Sequence, residues 1–358
     1  MSSPEDSTAS APAPAKGAGR RPSLGSLEAL SLGRYAGVIV ALILVAAALT
    51  ITQSTFLTWA NMENIIAANS VILILALGAT FVVISGGIDL STASLMTAAS
   101  MMLAIAFKSG WGLVPSVALA LAFGAAAGLG NGLLIAKGKI SFLAVTLGAL
   151  SIWSSFALVV QEGQTVSVFS AKAFNPIHEL VTNSIGPIPL LLIFDIALLL
   201  IAGGVLRYTT FGRSLFAIGS NEEAARLSGI NVTRVLILVY TIAGLAAGLA
   251  CIVSVGRLTA GSPTVDSNLL LTVLAAVLIG GTSFTGGLGG VAGTAIGVIF
   301  LGVVENGLTL SNVSSFWQGI VSGSILIIAV GFGVLRERGW SIRRARGANA
   351  AVTEGPVR

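Results

Sequence analysis

Ten apolar runs, at roughly 35–53, 65–84, 91–107, 112–136, 142–160, 189–206, 235–256, 268–283, 290–306 and 315–335, take up most of this 358-residue chain. A helix needs about 20 apolar residues to cross a bilayer, and a lipid core admits only helices and closed barrels. Charged residues make up 9% of the chain, with a mean hydropathy of +0.96, whereas soluble domains carry about a quarter charged residues. The pattern predicts an all-α integral membrane protein with about ten transmembrane helices. Runs eight and nine are short and interrupted by glycines, which predicts re-entrant or broken segments. No hydrophilic stretch is long enough for a soluble catalytic domain.

The excess of nineteen Lys and Arg over fourteen Asp and Glu belongs to loops and tails, so it describes membrane orientation and not nucleic-acid binding. With both termini inside, only Lys108, Lys172 and Arg257 of the nineteen cations fall in outer segments. That bias predicts a multi-pass protein of the cytoplasmic (inner) membrane with both termini cytoplasmic. Residues 1–30, rich in Ser, Ala, Pro and Gly, read as a disordered cytoplasmic tail. They do not read as a cleaved signal, because the first apolar run starts late and continues as a full span. The transmembrane domain covers 31–336, its longest inner loop is 207–234, and a basic cytoplasmic tail covers 337–358.

That inner loop contains a short polar helix. Ser220 or Asn221 can cap it, Glu222 and Glu223 suit the positive end of its dipole, and Gly229 supplies a left-handed stop. So short a helix is marginal alone in water and forms against a partner. The lone Cys251 lies in an apolar run, where it reads as packing, and the lone His178 lies in an outer loop and reads as a surface residue. The two offer no metal-ligand set.

Several constellations sit within the apolar runs. Gly124, Gly128 and Gly132 recur every four residues, as do Gly289, Gly293 and Gly297, and Gly244 pairs with Gly248. Such spacing makes flat faces for close helix packing, read here as packing within the chain in preference to a subunit contact. Gly87 and Asp89 to Ser91 interrupt runs two and three; Asp89 either caps the start of run three or serves a gate. The segment Gly280–Gly290, with Thr282 and Ser283, lacks the Gly-Lys-Ser/Thr ending of a phosphate-binding loop and reads as a turn. Asp195 and Glu305 are the other acids in apolar runs. With no basic or histidine relay beside them, they read as cavity lining or helix pairing in preference to proton transport.

Glu223-Ala224-Ala225 followed by Gly229 resembles the cytoplasmic coupling loop of ABC-importer permeases. From about Phe56 to Val334 the chain resembles the ribose-type monosaccharide permeases. The shared blocks are Gly87-Ile88-Asp89-Leu90-Ser91, Ala136–Lys139 with Thr146-Leu147, Gly212-Arg213 through Asn231, and Gly280–Ser283 through Asn306-Gly307-Leu308. The resemblance implies a permease fold of the type II-like kind, working by alternating access along a path between two permease subunits, as a homo- or heterodimer. It also implies a cytoplasmic ABC ATPase, which holds ATP and magnesium, and an extracytoplasmic sugar-binding protein. The chain itself would then bind no cofactor and catalyse no reaction. Asn221, Glu222, Glu223, Ala224, Ala225, Arg226 and Gly229 would dock on the ATPase. Gly87, Asp89, Ser91, Thr282, Ser283, Glu305 and Asn306 would line the gate or path. The chain departs from the family at Thr92-Ala93-Ser94, at neutral Leu288 and Gly290, and at Glu305, which leaves the cargo open.

Three alternatives stand beside this. A permease for branched-chain amino acids or nucleosides keeps the same class. An ion-coupled secondary transporter would have no use for the capped inner helix, and the polar interruptions argue against a membrane scaffold.

Overall fold

Helix α2 (Trp59–Ile84) is the centre of the molecule. Every residue from Asn69 to Ile84 is buried, as expected of a helix that is apolar all round. The computed structural model describes residues 24–314, 317–328 and 331. Around α2 stand α1 (Leu24–Thr52), α3 (Thr92–Lys108), α4 (Leu113–Ala136) and α5 (Phe142–Val159). A short helix α6 (Asn175–Thr182) precedes α7 (Leu190–Tyr208), and two short helices, α8 (Thr210–Ser220) and α9 (Glu222–Leu227), lead into α10 (Val232–Leu258). The helices α11 (Ser267–Ile279), α12 (Val291–Leu310) and α13 (Trp317–Ile328) follow.

Each of the ten apolar runs carries a helix. Seven are long and apolar enough to cross a membrane: α1, α2, α4, α5, α7, α10 and α12. The other three, α3, α11 and α13, are shorter. The buried helix α3 need not reach across lipid, because neighbouring helices cover it and the irregular backbone before it. Run nine, expected to be short, is a full-length helix of 20 residues. Helix α1 begins at Leu24, inside the segment read as a disordered tail; Glu28, Ala29 and Leu30 are strong helix formers. Residues 1–23 and the basic tail at 337–358 lie outside the described residues.

Glycine ladders set the closest helix pairs. Gly124 and Gly128 of α4 press on Gly244 and Gly248 of α10, where an added Cβ would strike the facing backbone, and Gly132 meets the backbone of Ile237. On the other flank Gly293 of α12 faces Gly280 at the end of α11, and Gly297 faces Ala276. All these contacts are made within one chain. Gly289 stands outside this ladder, in the loop before α12, against Thr282 and Ile84.

Two small antiparallel pairings order loops between helices: Val166–Ser167 with Ala260–Gly261, and Ser184–Ile185 with Ile188–Pro189. His178 is not a free surface residue: its Nδ1 lies 3.2 Å from the carbonyl oxygen of Gly256, tying α6 to α10. Cys251 is buried and its Sγ donates to the Gly248 carbonyl at 3.0 Å. Asp195 of α7 is buried against α2, accepting a 2.7 Å hydrogen bond from Ser70 Oγ.

Candidate functional site

Helix α9 starts at Asn221, whose side chain accepts from the N–H of Ala224 at 2.9 Å. Ser220 is not the cap; it ends α8, and its Oγ donates to the Phe216 carbonyl at 2.8 Å. Arg226 pairs with Glu222 at 2.7 Å and with Glu223 at 3.4 Å. These pairs are exposed and each adds only a few tenths of a kcal/mol, about 0.3–0.5 for a helical i,i+4 pair. Gly229 ends the segment at a φ of +83°, in the left-handed region. Ala225 is buried and turns α9 inward, whereas Leu227 is 82% exposed. An apolar side chain standing out from a polar helix suits a protein partner.

Three backbone segments converge where α8 meets α9. Gly219 touches the carbonyl oxygen of Ile84 and the nitrogen of Gly287, so that a Cβ there would overlap both. A Cβ on Gly286 would sit 2.9 Å from Gly86 Cα and 3.0 Å from the Gly219 carbonyl oxygen, and one on Gly287 would sit 2.8 Å from Ser220 Cα. Gly286 and Gly287 also have φ values of +85° and +71°, which glycine adopts without steric cost. The loop at 207–234 is thus joined to the end of α2 and to the α11–α12 loop. Ser283 N–H donates to the Leu288 carbonyl at 2.9 Å and closes that loop, and the buried Thr282 lies against Gly289.

Asp89 is 4% exposed and lies just ahead of α3. Its Oδ1 accepts from the Ser91 N–H at 2.8 Å and the Ser91 Oγ at 2.6 Å. Asn131 of α4 donates to that Ser91 Oγ at 3.1 Å. The carboxylate therefore shapes the turn into α3, with Ser91 itself in the cap position. Gly87 leaves room for Tyr240, whose phenol oxygen would be 2.6 Å from an added Cβ.

Glu305 and Asn306 are elsewhere. They sit near the far end of α12, by the start of α2. From Asn61 to Ile84, α2 rises about 35 Å at 1.5 Å per residue, a membrane thickness. The residues expected to form one gate or path therefore separate into two ends. Gly87, Asp89, Ser91, Thr282 and Ser283 lie toward the Ile84 end of α2, whereas Glu305 and Asn306 line a polar cavity of about 720 Å³ at the opposite end. There Asn306 and Asn61 exchange side-chain hydrogen bonds at 2.8 and 3.0 Å. Glu305 Oε1 accepts from Thr272 at 3.1 Å and Ser322 at 3.4 Å.

Sequence reasoning missed Gly219, Gly286, Leu227, and the amides of Asn61, Asn64 and Asn69 in this cavity. The amides did leave a signal: positions 61, 64, 68 and 69 share one face of a helix, and three of the four are asparagines at the edge of an apolar run. Among the described residues no group of His, Cys, Asp and Glu could hold a metal ion.

Comparison with known proteins adds independent evidence. The ribose import permease protein RbsC of Bacillus subtilis is 37% identical over 84% of this chain and 91% of its own length. RbsC of Escherichia coli K12 is 36% identical over 82% of this chain and 91% of its own. The L-arabinose transport system permease protein AraH of the same organism is 34% identical over 84% and 90%. No solved structure matches the chain. The family model described as "Branched-chain amino acid transport system / permease component" matches residues 61–330, and the chain belongs to that permease family.

Proposed function

We propose that the chain is the membrane-spanning subunit of an ATP-driven importer that carries a monosaccharide of the ribose or arabinose kind into the cell. The observation that carries this reading is the exposed helix α9, joined through Gly219 to the ends of α2 and of the α11–α12 loop. An ATPase gripping Asn221 to Arg226 and Leu227 would pull on all three segments together. The relatives named as ribose and arabinose permeases supply the cargo class, and the chain is a transport subunit, not an enzyme.

The rest of the assembly follows from the same reading. A second permease subunit, a cytoplasmic ATPase binding ATP and magnesium, and an extracytoplasmic sugar-binding protein complete the importer. Both termini and α9 face the cytoplasm, in keeping with the distribution of cations among the loops, and the cavity at Glu305 faces outward. The fold is of the type II-like importer kind, with α3, α11 and α13 completing ten spans. ATP-driven closure of the partner favours one of two permease states, and the path opens alternately.

The test is sugar uptake into vesicles holding the permease and its partners, with and without ATP. Uptake that requires ATP and the cognate ATPase is expected. Uptake that persists without nucleotide and collapses with a proton ionophore would overturn the reading.

A further inference from the structure

The cavity at the end of the molecule opposite α9 has the chemistry of a binding site. Its walls come from α2, α3, α10, α11, α12 and α13 of one chain. Asn61, Asn64, Asn69 and Asn306 bring amides to it, and amides both donate and accept. Arg257 and Glu305 line the same space, yet Arg257 makes no ion pair among the described residues. Arg257 therefore lines the cavity without a carboxylate partner among the described residues.

Asn69 gives a second, separate indication. It is 9% exposed, and its Nδ2 donates to the Ile65 carbonyl of its own helix at 2.8 Å. That bond fixes which end of the amide is the oxygen, and Oδ1, itself covered, has no hydrogen-bond partner among the described residues. A buried acceptor left unpaired costs about 1–3 kcal/mol. Gly302 of α12 provides the space: a Cβ there would overlap the Asn69 amide.

A second cavity, about 610 Å³ between α4 and α5, serves as a contrast. Apart from Asn131, which already donates to Ser91, and the covered indole N–H of Trp153, its lining is apolar. It offers hydroxyl groups almost nothing.

We propose that the polar cavity is the cargo site, lying within a single chain and binding a neutral polyhydroxylated solute. Arg257 and Asn64 donate to cargo hydroxyls, Glu305 accepts from them, and the Asn61–Asn306 pair closes one wall. A sugar hydroxyl is both donor and acceptor, so amides beside one cation and the carboxylates of Asp266 and Glu305 match it, whereas a charged cargo would meet a charge of its own sign. The resemblance to sugar permeases puts the path between two subunits; this site does not need the second subunit to form. The inference rests on the sugar-import reading and locates the sugar within it.

Two measurements on the full complex test this. In reconstituted vesicles, Asn64→Leu and Arg257→Met should each lower ribose or arabinose uptake by about tenfold, the scale of losing one net hydrogen bond. Asn64 makes no hydrogen bond that holds the fold and Arg257 no ion pair, so both variants should insert and assemble. Second, in a Cys251→Ser background, ribose should slow the labelling of Asn64→Cys by a membrane-impermeant maleimide. Lys172→Cys, exposed and outside the cavity, should label at the same rate with and without sugar. Normal uptake by both variants, or labelling at position 64 indifferent to sugar, would overturn the site and leave the importer reading intact. Absence of sugar uptake by the unsubstituted complex would overturn both.

Discussion

The N–H of Gly287 donates to the carbonyl oxygen of Ile84 over 2.9 Å, fastening the α11–α12 loop to the last residue of α2. Gly219 fits against both atoms of that bond. The loop at 207–234 therefore meets both segments through backbone, with no flexible side chain between.

Gly219→Ala tests this link. The new methyl group would overlap backbone atoms, which cannot rotate away as a side chain can, and overpacking of this kind costs about 1–3 kcal/mol. The expected outcome is a lower Tm for the purified permease and fewer sugars carried per ATP hydrolysed. An unchanged Tm with unchanged coupling would show that the junction is looser than the contacts indicate.

Asp89 permits a test of charge against shape. Its Oδ1 accepts two hydrogen bonds from Ser91, and an amide oxygen can accept the same two. Asp89→Asn should keep most of the uptake, since a neutral acceptor weakens these bonds without removing them. Asp89→Leu leaves the Ser91 N–H without its partner and should destabilise the protein by about 1–3 kcal/mol. If Asp89→Asn folds with its Tm intact but carries no sugar, the carboxylate charge itself serves the gate.

The apolar runs were readable because a transmembrane segment must satisfy its own backbone, and its length and composition show this residue by residue. The capped helix was readable for a similar reason: Asn221, Glu222, Glu223 and Gly229 act within nine consecutive residues. Helix α8 was missed. Phe211, Leu215 and Ile218 carry its apolar face, but Gly212 and Gly219 lower its intrinsic helix propensity. Gly219 is there because Ile84 and Gly287 press on it, and those contacts join residues far apart in sequence. The cavity was hidden for the same reason. Glu305 stood out as an acid in an apolar run, but its proximity to Arg257, Asn64 and Asn69 is created only by the packing of α2, α10 and α12.

Gly229 separates backbone conformation from steric room. Its φ is +83°, yet nothing lies within 4 Å of where a Cβ would be. Substitutions there should consequently rank by their tolerance of the left-handed region, not by size. Asn is the mildest of the side chains that adopt it, and a β-branched residue is the worst. Gly229→Asn should bind the ATPase nearly as the unsubstituted protein does. Gly229→Val should weaken that association by about tenfold, since 1–2 kcal/mol of backbone strain would fall on the end of α9. Membrane insertion should be the same for both, because the position is exposed and outside every span. Co-purification of the ATPase with each variant measures the ranking, and equal binding by Asn and Val variants would remove α9 from the coupling surface.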